Sequence, residues 1–271
     1  MLMDSPKGHP KTAKTIKAVC ANCSTRSQCL NGKLSLDEVN SLPAHYIRRS
    51  TLKEGQLLYR KGESLSNIYN LRFGSIKSEM IMSNGARQVT HFSLPGELLG
   101  LDGIANGKHQ VDTVSIHDSE VCSISYDNLK QMTKDYPILA GNIEHSIGAL
   151  LNTSHVHIFD LINLNALEKL ADFLIDYANR ISRAGFDRDH FVLPMDRVDL
   201  ASYLGVKIET LSRSITQLEK LGAIKTSNRK IEFISRKPIF EFLDPSVLRE
   251  KHDSKKGGEP LYLPDAEKRK I

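Results

Sequence analysis

Residues 196–233 read DRVDLASYLGVKIETLSRSITQLEKLGAIKTSNRKIEF, and this stretch decides the architecture. Asp196 stands where a helix N-cap belongs, with Asp199 three positions on as an approximate capping box. Val198, Leu200, Ala201 and Leu204 are the apolar positions of that helix. Gly205-Val206-Lys207 follows as a short turn with glycine at the helix end. A second helix then runs over 208–221. Its apolar stripe is Ile208, Leu211, Ile215 and Leu218, and Glu209, Ser212, Arg213 and Thr216 stand on the opposite face. Two short helices across a glycine-bearing turn, the second with acid, hydroxyl and guanidinium outward near its start, form a reader for the DNA major groove.

The side chains suit that task. Arg213 can grip guanine O6 and N7 together, Glu209 can accept from cytosine N4, and Ser212 can touch thymine or adenine edges. Each good bidentate pair gives about 1–3 kcal/mol of discrimination. Gly222-Ala223-Ile224-Lys225 and Arg229-Lys230-Ile231-Glu232-Phe233 read as a β-hairpin wing, with Lys225, Arg229 and Lys230 placed to hold phosphates.

Upstream of the reader the signal stays helical as far back as Pro137. Leu167, Leu170, Leu174, Ile175 and Ala178 share one helix face, which Gly185 ends. Before it, Ile147, Leu151, Ser154, Ile158 and Leu161 fall at spacings of 4, 3, 4 and 3, a heptad seam by which two helices pack along each other. A homodimer helix is the expectation, with Ser154 as a polar seam residue that weakens the contact and tunes register. His155 and His157 flank the seam as surface or interface residues.

Between 51 and 127 the text changes character. Eight of the seventeen glycines punctuate short strand-like runs at 56–59, 67–71, 76–82, 88–92, 111–116 and 121–125. Asn84-Gly85 is a hairpin signal. Many short strands with frequent turns predict an all-β sandwich or jelly roll.

Four cysteines remain. Cys20, Cys23 and Cys29 form a C-x2-C-x5-C cluster, and Cys122 lies far downstream in a strand. Four thiolates satisfy either a 4Fe–4S cluster or a structural zinc. Three local ligands with one remote ligand fit iron–sulfur spacing better than the two tight pairs usual for zinc, and no histidine stands near the cluster. Cys122 alone could also be a small apolar residue in Val121-Cys122-Ser123-Ile124.

The bulk numbers bound the rest. A chain of 271 residues leaves room for two domains. No apolar run reaches about 18 residues, so no membrane-spanning helix is expected. The first nineteen residues carry Lys7, Lys11, Lys14 and Lys17 without an apolar core, unlike a secretory signal, so a cytoplasmic chain with reduced thiols is expected. The formal net charge is +5, unevenly spread: the first sixty residues and the reader are basic, and 61–160 is acidic. A polyanion partner for one part of the chain follows. No Ser/His/Asp constellation, phosphate loop or paired carboxylate motif stands out, so an enzyme is not expected.

In combination these residues resemble the Crp/Fnr superfamily of transcription regulators, and within it the oxygen-sensing fumarate-and-nitrate-reduction (FNR) regulators. The resemblance covers roughly 18–235. It rests on Cys20, Cys23, Cys29 and Cys122, on Gly74-Ser75-Ile76-Lys77-Ser78, on Pro95-Gly96-Glu97-Leu98-Leu99-Gly100 and on Ile208-Glu209-Thr210-Leu211-Ser212-Arg213. It implies an α+β chain, with a β-roll of the cyclic-nucleotide-binding type, a long dimerisation helix and a winged helix-turn-helix. The corresponding division is a flexible basic arm over 1–19, a sensory β-roll over 20–135, the dimer helix over 136–163, the DNA-binding domain over 164–243 and a mobile tail over 244–271. It further implies a 4Fe–4S cluster on Cys20, Cys23, Cys29 and Cys122. The intact cluster would favour homodimers that read a TTGAT-N4-ATCAA palindrome in double-stranded DNA, and oxygen would dissolve them. Glu209, Ser212 and Arg213 match the base-reading residues one by one. The loops at 80–87 and 117–120 match regions that contact RNA polymerase.

Some positions depart from the family pattern. An acid often stands where this chain has Ser154, so seam repulsion in the cluster-free state is expected to be weaker here. Lys207 replaces the usual hydroxyl N-cap of the reading helix. A cyclic-nucleotide receptor of the same fold needs an arginine after the Gly-Glu-Leu turn. Here Gly107-Lys108-His109-Gln110-Val111 supplies only a lysine, so no cyclic nucleotide is expected. The alternative is a zinc-stabilised or small-ligand-responsive regulator of the same superfamily.

Overall fold

The computed structural model describes residues 16–17, 20, 22–43 and 45–243. Most of the basic arm expected over 1–19, and all of the tail expected over 244–271, lie outside the described residues.

Nine strands build the N-terminal roll: β1 (Ile16–Lys17), β2 (Ile47–Leu52), β3 (Leu57–Tyr59), β4 (Asn67–Phe73), β5 (Ile76–Ile81), β6 (Arg87–Ser93), β7 (Leu98–Leu99), β8 (Asp112–Ser115) and β9 (Ser119–Ser125). They form two antiparallel sheets, in the orders β1-β2-β9-β4-β7 and β3-β8-β5-β6. The β5–β6 hairpin turns at Gly85, whose φ of +83° a side chain would resist, and Asn84 Oδ1 accepts from Ala86 N at 2.9 Å. Inside the roll Leu52, Tyr59, Leu71, Ile76, Leu99 and Val121 pack as one apolar cluster.

Among the described residues seven α-helices accompany these strands: α1 (Leu36–Ser41), α2 (Tyr126–Asp135), α3 (Ile138–Asn163), α4 (Ala166–Arg183), α5 (Arg197–Leu204), α6 (Ile208–Lys220) and α7 (Lys237–Phe242). The 26 residues of α3 make a rod about 39 Å long. Only Leu139 and Asp160 of that rod are buried. A capping box starts α4, with Asn165 and Glu168 satisfying each other's backbone N–H groups. Asp196 caps α5 by accepting from Asp199 N at 2.7 Å, and no side chain caps α6 at Lys207. Gly205 turns between α5 and α6 at φ +63°. A side chain there would also press on Leu161 of α3, whose Cδ2 lies 3.0 Å from the Cβ position. The wing is three-stranded rather than a simple hairpin: β10 (His190–Val192), β11 (Ile224–Ser227) and β12 (Lys230–Phe233) stand in the order β10-β12-β11.

The two halves share a core. Val89, Phe92 and Leu94, in or just after β6, join Leu170, Leu174, Leu200, Leu204, Leu211 and Leu218 in one buried cluster. Ionic contacts flank it. Asp199 of α5 accepts from Lys77 Nζ at 2.7 and 2.8 Å and from Arg87 Nη2 at 2.9 Å, and Lys77 and Asp199 are both buried. Arg180 of α4 grips Glu97 at 2.8 and 2.9 Å and donates to the Phe92 carbonyl. Burial alone would raise the Glu97 carboxyl, but Arg180 and His91 outweigh it and hold it at about 2.

Asp199 and Glu79 together face Lys77 and Arg87, so removing Asp199 leaves two cations on one carboxylate in a shielded site, a loss of about 3 kcal/mol. Asp199→Ala therefore lowers the urea midpoint strongly, whereas Lys53→Ala, at an exposed pair, leaves it unchanged. Glu97 has the pH signature of a depressed carboxyl. Its contribution is complete above the ordinary glutamate range and is lost as pH falls toward 2. Glu97→Gln flattens the stability–pH curve between about pH 4 and about pH 2, as acid titration by circular dichroism reads directly.

Candidate functional site

The four cysteines come from two places and meet at one. Cys122 sits mid-strand in β9, opposite Arg49 of β2 and Asn70 of β4. Cys20, Cys23 and Cys29 lie on a loop wound by successive turn bonds. Cys23 N donates to the Cys20 carbonyl, Arg26 N to the Cys23 carbonyl, and Cys29 N to the Thr25 carbonyl. Arg26 Nη2 closes this loop on the Leu34 carbonyl at 2.6 Å.

All four thiols line one recess of about 510 Å³, counting the solvent at its mouth, between the loop and the β2-β9-β4 face. Leu30, Ile47, Ile68, Leu98 and Ile124 make its apolar wall, and Arg49, Arg72 and Asn70 its polar one. The thiols feel one another. Burial pushes Cys29 up to about 12 and Cys122 up to about 11, and neighbouring thiols add to both shifts. Burial also raises Cys20. At Cys23 burial acts the same way but is overcome by the Thr25 hydroxyl and Arg72, so its net shift is downward. Such crowding of soft, acidifiable sulfurs is relieved by a cationic centre. Among the described residues, no group of three or more His, Cys, Asp or Glu side chains stands arranged to hold a metal ion. A closed zinc site, with each sulfur about 2.3 Å from the metal, would bring four sulfurs nearly into contact.

The loop is held to both helical layers. Asn142 Nδ2 of α3 donates to the Leu30 carbonyl at 2.8 Å. Gln28 Nε2 donates to the Arg183 carbonyl at the end of α4.

In the C-terminal domain α6 points Glu209, Arg213 and Thr216 to solvent, while Leu211 and Leu218 anchor its other face. Ser212 is half-buried and accepts from Arg197 Nη1 at 3.4 Å. Sequence reasoning had not singled out Arg197; its one signal is its place directly after the Asp196 cap. Lys225 and Lys230 are exposed on the wing. Arg229 is also exposed but spends one donor on the Pro194 carbonyl at 2.8 Å, a bracing role the sequence did not reveal.

Along α3 the side chains of Ile147, Leu151, Ser154 and Ile158 are exposed in a row, joined by Phe159 and Ile162. Leu161 is half-buried instead, turned toward Gly205. His157 stacks on Tyr203 of α5 at 4.1 Å between ring centres.

Comparison with known proteins agrees with this fold. The family description "Cyclic nucleotide-binding domain" matches residues 49–136, and "Crp-like helix-turn-helix domain" matches residues 168–238. The anaerobic regulatory protein of Aggregatibacter actinomycetemcomitans is 32% identical over 82% of this chain and 86% of its own. The regulatory protein HlyX of Actinobacillus pleuropneumoniae is 34% identical over 78% and 88%. The structure of FixK2 from Bradyrhizobium japonicum superposes with a TM-score of 0.67 at 25% identity, covering 72% of this chain and 96% of that one. Among the described residues no helix is long and apolar enough to cross a membrane. These relatives are regulators rather than enzymes, and the chain belongs to the Crp/Fnr family of DNA-binding transcription regulators.

Proposed function

We propose that the chain is an oxygen-responsive regulator in which a 4Fe–4S cluster on Cys20, Cys23, Cys29 and Cys122 favours homodimers. Those dimers read a TTGAT-N4-ATCAA-like palindrome. The observation that carries this reading is the convergence of all four thiols on one apolar-walled recess. A cluster bound there supplies iron–sulfur chemistry that oxygen destroys.

The chain's own residues do the rest. The loop that carries three ligands is tied to α3 through Asn142, so a change in loop order reaches the helix that bears Ile147, Leu151, Ser154 and Ile158. Pairing of α3 with that of a second copy sets the two α6 helices one DNA turn apart. Leu161 and His157, seated on Gly205 and Tyr203, carry the position of α3 into the reader. Glu209, Ser212 and Arg213 then meet base edges, with Lys225, Lys230 and a free donor of Arg229 on phosphates. The loops at 80–87 and 117–120 are the proposed contacts to RNA polymerase. The Glu97 carboxylate, already gripped by Arg180, supports a roll that takes no cyclic nucleotide.

Iron and acid-labile sulfide measured on anaerobically purified protein decide the cluster. The expected result is about four of each per chain, lost in air and absent in Cys122→Ala. Zinc without sulfide overturns the reading. On DNA, Arg213→Ala costs about 1–3 kcal/mol at one base pair and relaxes preference there. Lys225→Ala instead weakens all sequences alike and shallows the salt dependence, as fluorescence anisotropy on matched and mismatched sites distinguishes. Because Ser154 carries no charge, the cluster-free chain dimerises in part at micromolar concentration, and Ser154→Asp returns it to monomer in sedimentation.

A further inference from the structure

The wall of the cysteine recess is not electrically neutral. Arg49 and Arg72 line it, and among the described residues no acidic side chain does. Their arrangement follows from strand register. Arg49 of β2 faces Cys122 of β9 directly, and Asn70 of β4 faces Cys122 from the other side. Glu120 lies two residues along from Cys122 and so shares its sheet face, and Arg72 stands at a bulge of β4 between Leu71 and Phe73, from which its side chain reaches both the recess and Glu120. There the Glu120 carboxylate bridges the two guanidiniums. Oε1 is 3.4 Å from Arg49 Nε and Oε2 is 3.1 Å from Arg72 Nη1, all three side chains being largely shielded.

We infer that Arg49 and Arg72 are charge-compensating residues for the group held by the four thiols, with Glu120 as the counterweight that sets their net effect. This rests on the cluster reading above. Four deprotonated sulfurs around a 4Fe–4S core of charge +2 leave a net −2 in an apolar recess. An uncompensated charge of that kind is strongly penalised there. Guanidinium is suited to the task because it stays charged at every physiological pH and sheds water more readily than an ammonium. Two guanidiniums against one carboxylate leave the wall at +1, opposed to the sign of the cargo. The same charge stabilises a more reduced cluster, so it raises the midpoint potential.

The test begins with the metal-free, reduced chain. The thiols are allowed to attack a dianionic aromatic disulfide and, separately, a neutral pyridyl disulfide. The fraction of thiolate enters both rates and cancels in their ratio, which therefore reads the local potential. Arg49→Gln and Arg72→Gln should each lower the anionic-to-neutral ratio about threefold or more, and Glu120→Gln should raise it. Arg72→Lys and the remote Lys53→Gln should leave it near the starting value. A ratio unmoved by both arginine variants, or lowered by Glu120→Gln, rejects the inference. Glu120→Gln removes a charge without a cavity, so its sign remains decisive if an arginine variant folds poorly. After anaerobic reconstitution the arginine variants should show a lower cluster midpoint potential, and Glu120→Gln a higher one. Absence of iron and sulfide in the unaltered chain would sink the functional reading alone, since the disulfide ratio is measured without metal.

Discussion

The pairing of β2 with β9 is the constraint on which the N-terminal half depends. Ile47 faces Ile124, Arg49 faces Cys122, and Leu52 faces Ser119. In a strand, successive side chains alternate between faces, so this register sends Val121 into the roll and Cys122 out toward the cysteine loop. A slip of one residue would exchange them. The remote thiol would then be lost in the apolar interior, and valine would face the three local thiols. The fully buried Val121, Ile76 and Leu71 are therefore part of how Cys122 is presented, although none of them touches the recess.

A second consequence of the same sheet is mechanical. The loop carrying Cys23 and Cys29 is not an appendage of the roll. It is fastened to α3 at Asn142 and to the end of α4 at Gln28, while Asn70 beside the recess donates to the Gly96 and Glu97 carbonyls. Glu97 in turn is the residue that Arg180 of α4 holds. The recess, the turn at Gly96 and the first helix of the DNA-binding domain thus form a continuous set of polar contacts. The apolar core that Val89 and Phe92 share with α4 and α5 runs alongside. A rearrangement of the loop has two physical routes out, one along α3 and one across Glu97.

Legibility in the sequence followed how local each signal was. The helix-turn-helix was readable because its rules act within a few residues: the Asp196 cap, the glycine turn, and an apolar stripe at helical spacing from Ile208 to Leu218. The strands with glycine punctuation were readable for the same reason. By contrast, β2 was missed because Arg48-Arg49-Ser50-Thr51 breaks the alternation. Its place comes from main-chain bonds to β9, about seventy residues away in the chain. Strand β10 was missed because three residues carry no period, and it exists as the third strand of the wing. The four thiols could be listed but not assembled, since nothing local brings Cys122 to the loop. The ionic partners were invisible for the same reason. Lys77, Asp199, Glu97 and Arg180 look like ordinary surface charges until the fold buries the contacts between them. Leu161 shows the limit of a periodic reading. It fits the heptad, yet the helix has turned enough by its last two turns to set this leucine against Gly205.

What α3 lacks is as instructive as what it holds. An isolated helix is marginal in water unless tertiary packing supports it. Of its 26 residues only two are buried, one at each end, and the middle presents Ile147, Leu151 and Ile158 to solvent. Its ends are secured by α2 and the cysteine loop on one side and by Tyr203 and Gly205 on the other, so the chain holds the rod at its ends and leaves its span bare. A second copy of the same rod, related by a two-fold axis, would cover that span with the same residues it offers. Ser154 is prepared for such cover. Its hydroxyl already donates to the Leu150 carbonyl at 2.9 Å, so closing the seam over it strands no donor. An acid at this position would have to be buried charged, or be neutralised, each time the helices met. With serine the seam carries no such penalty of its own.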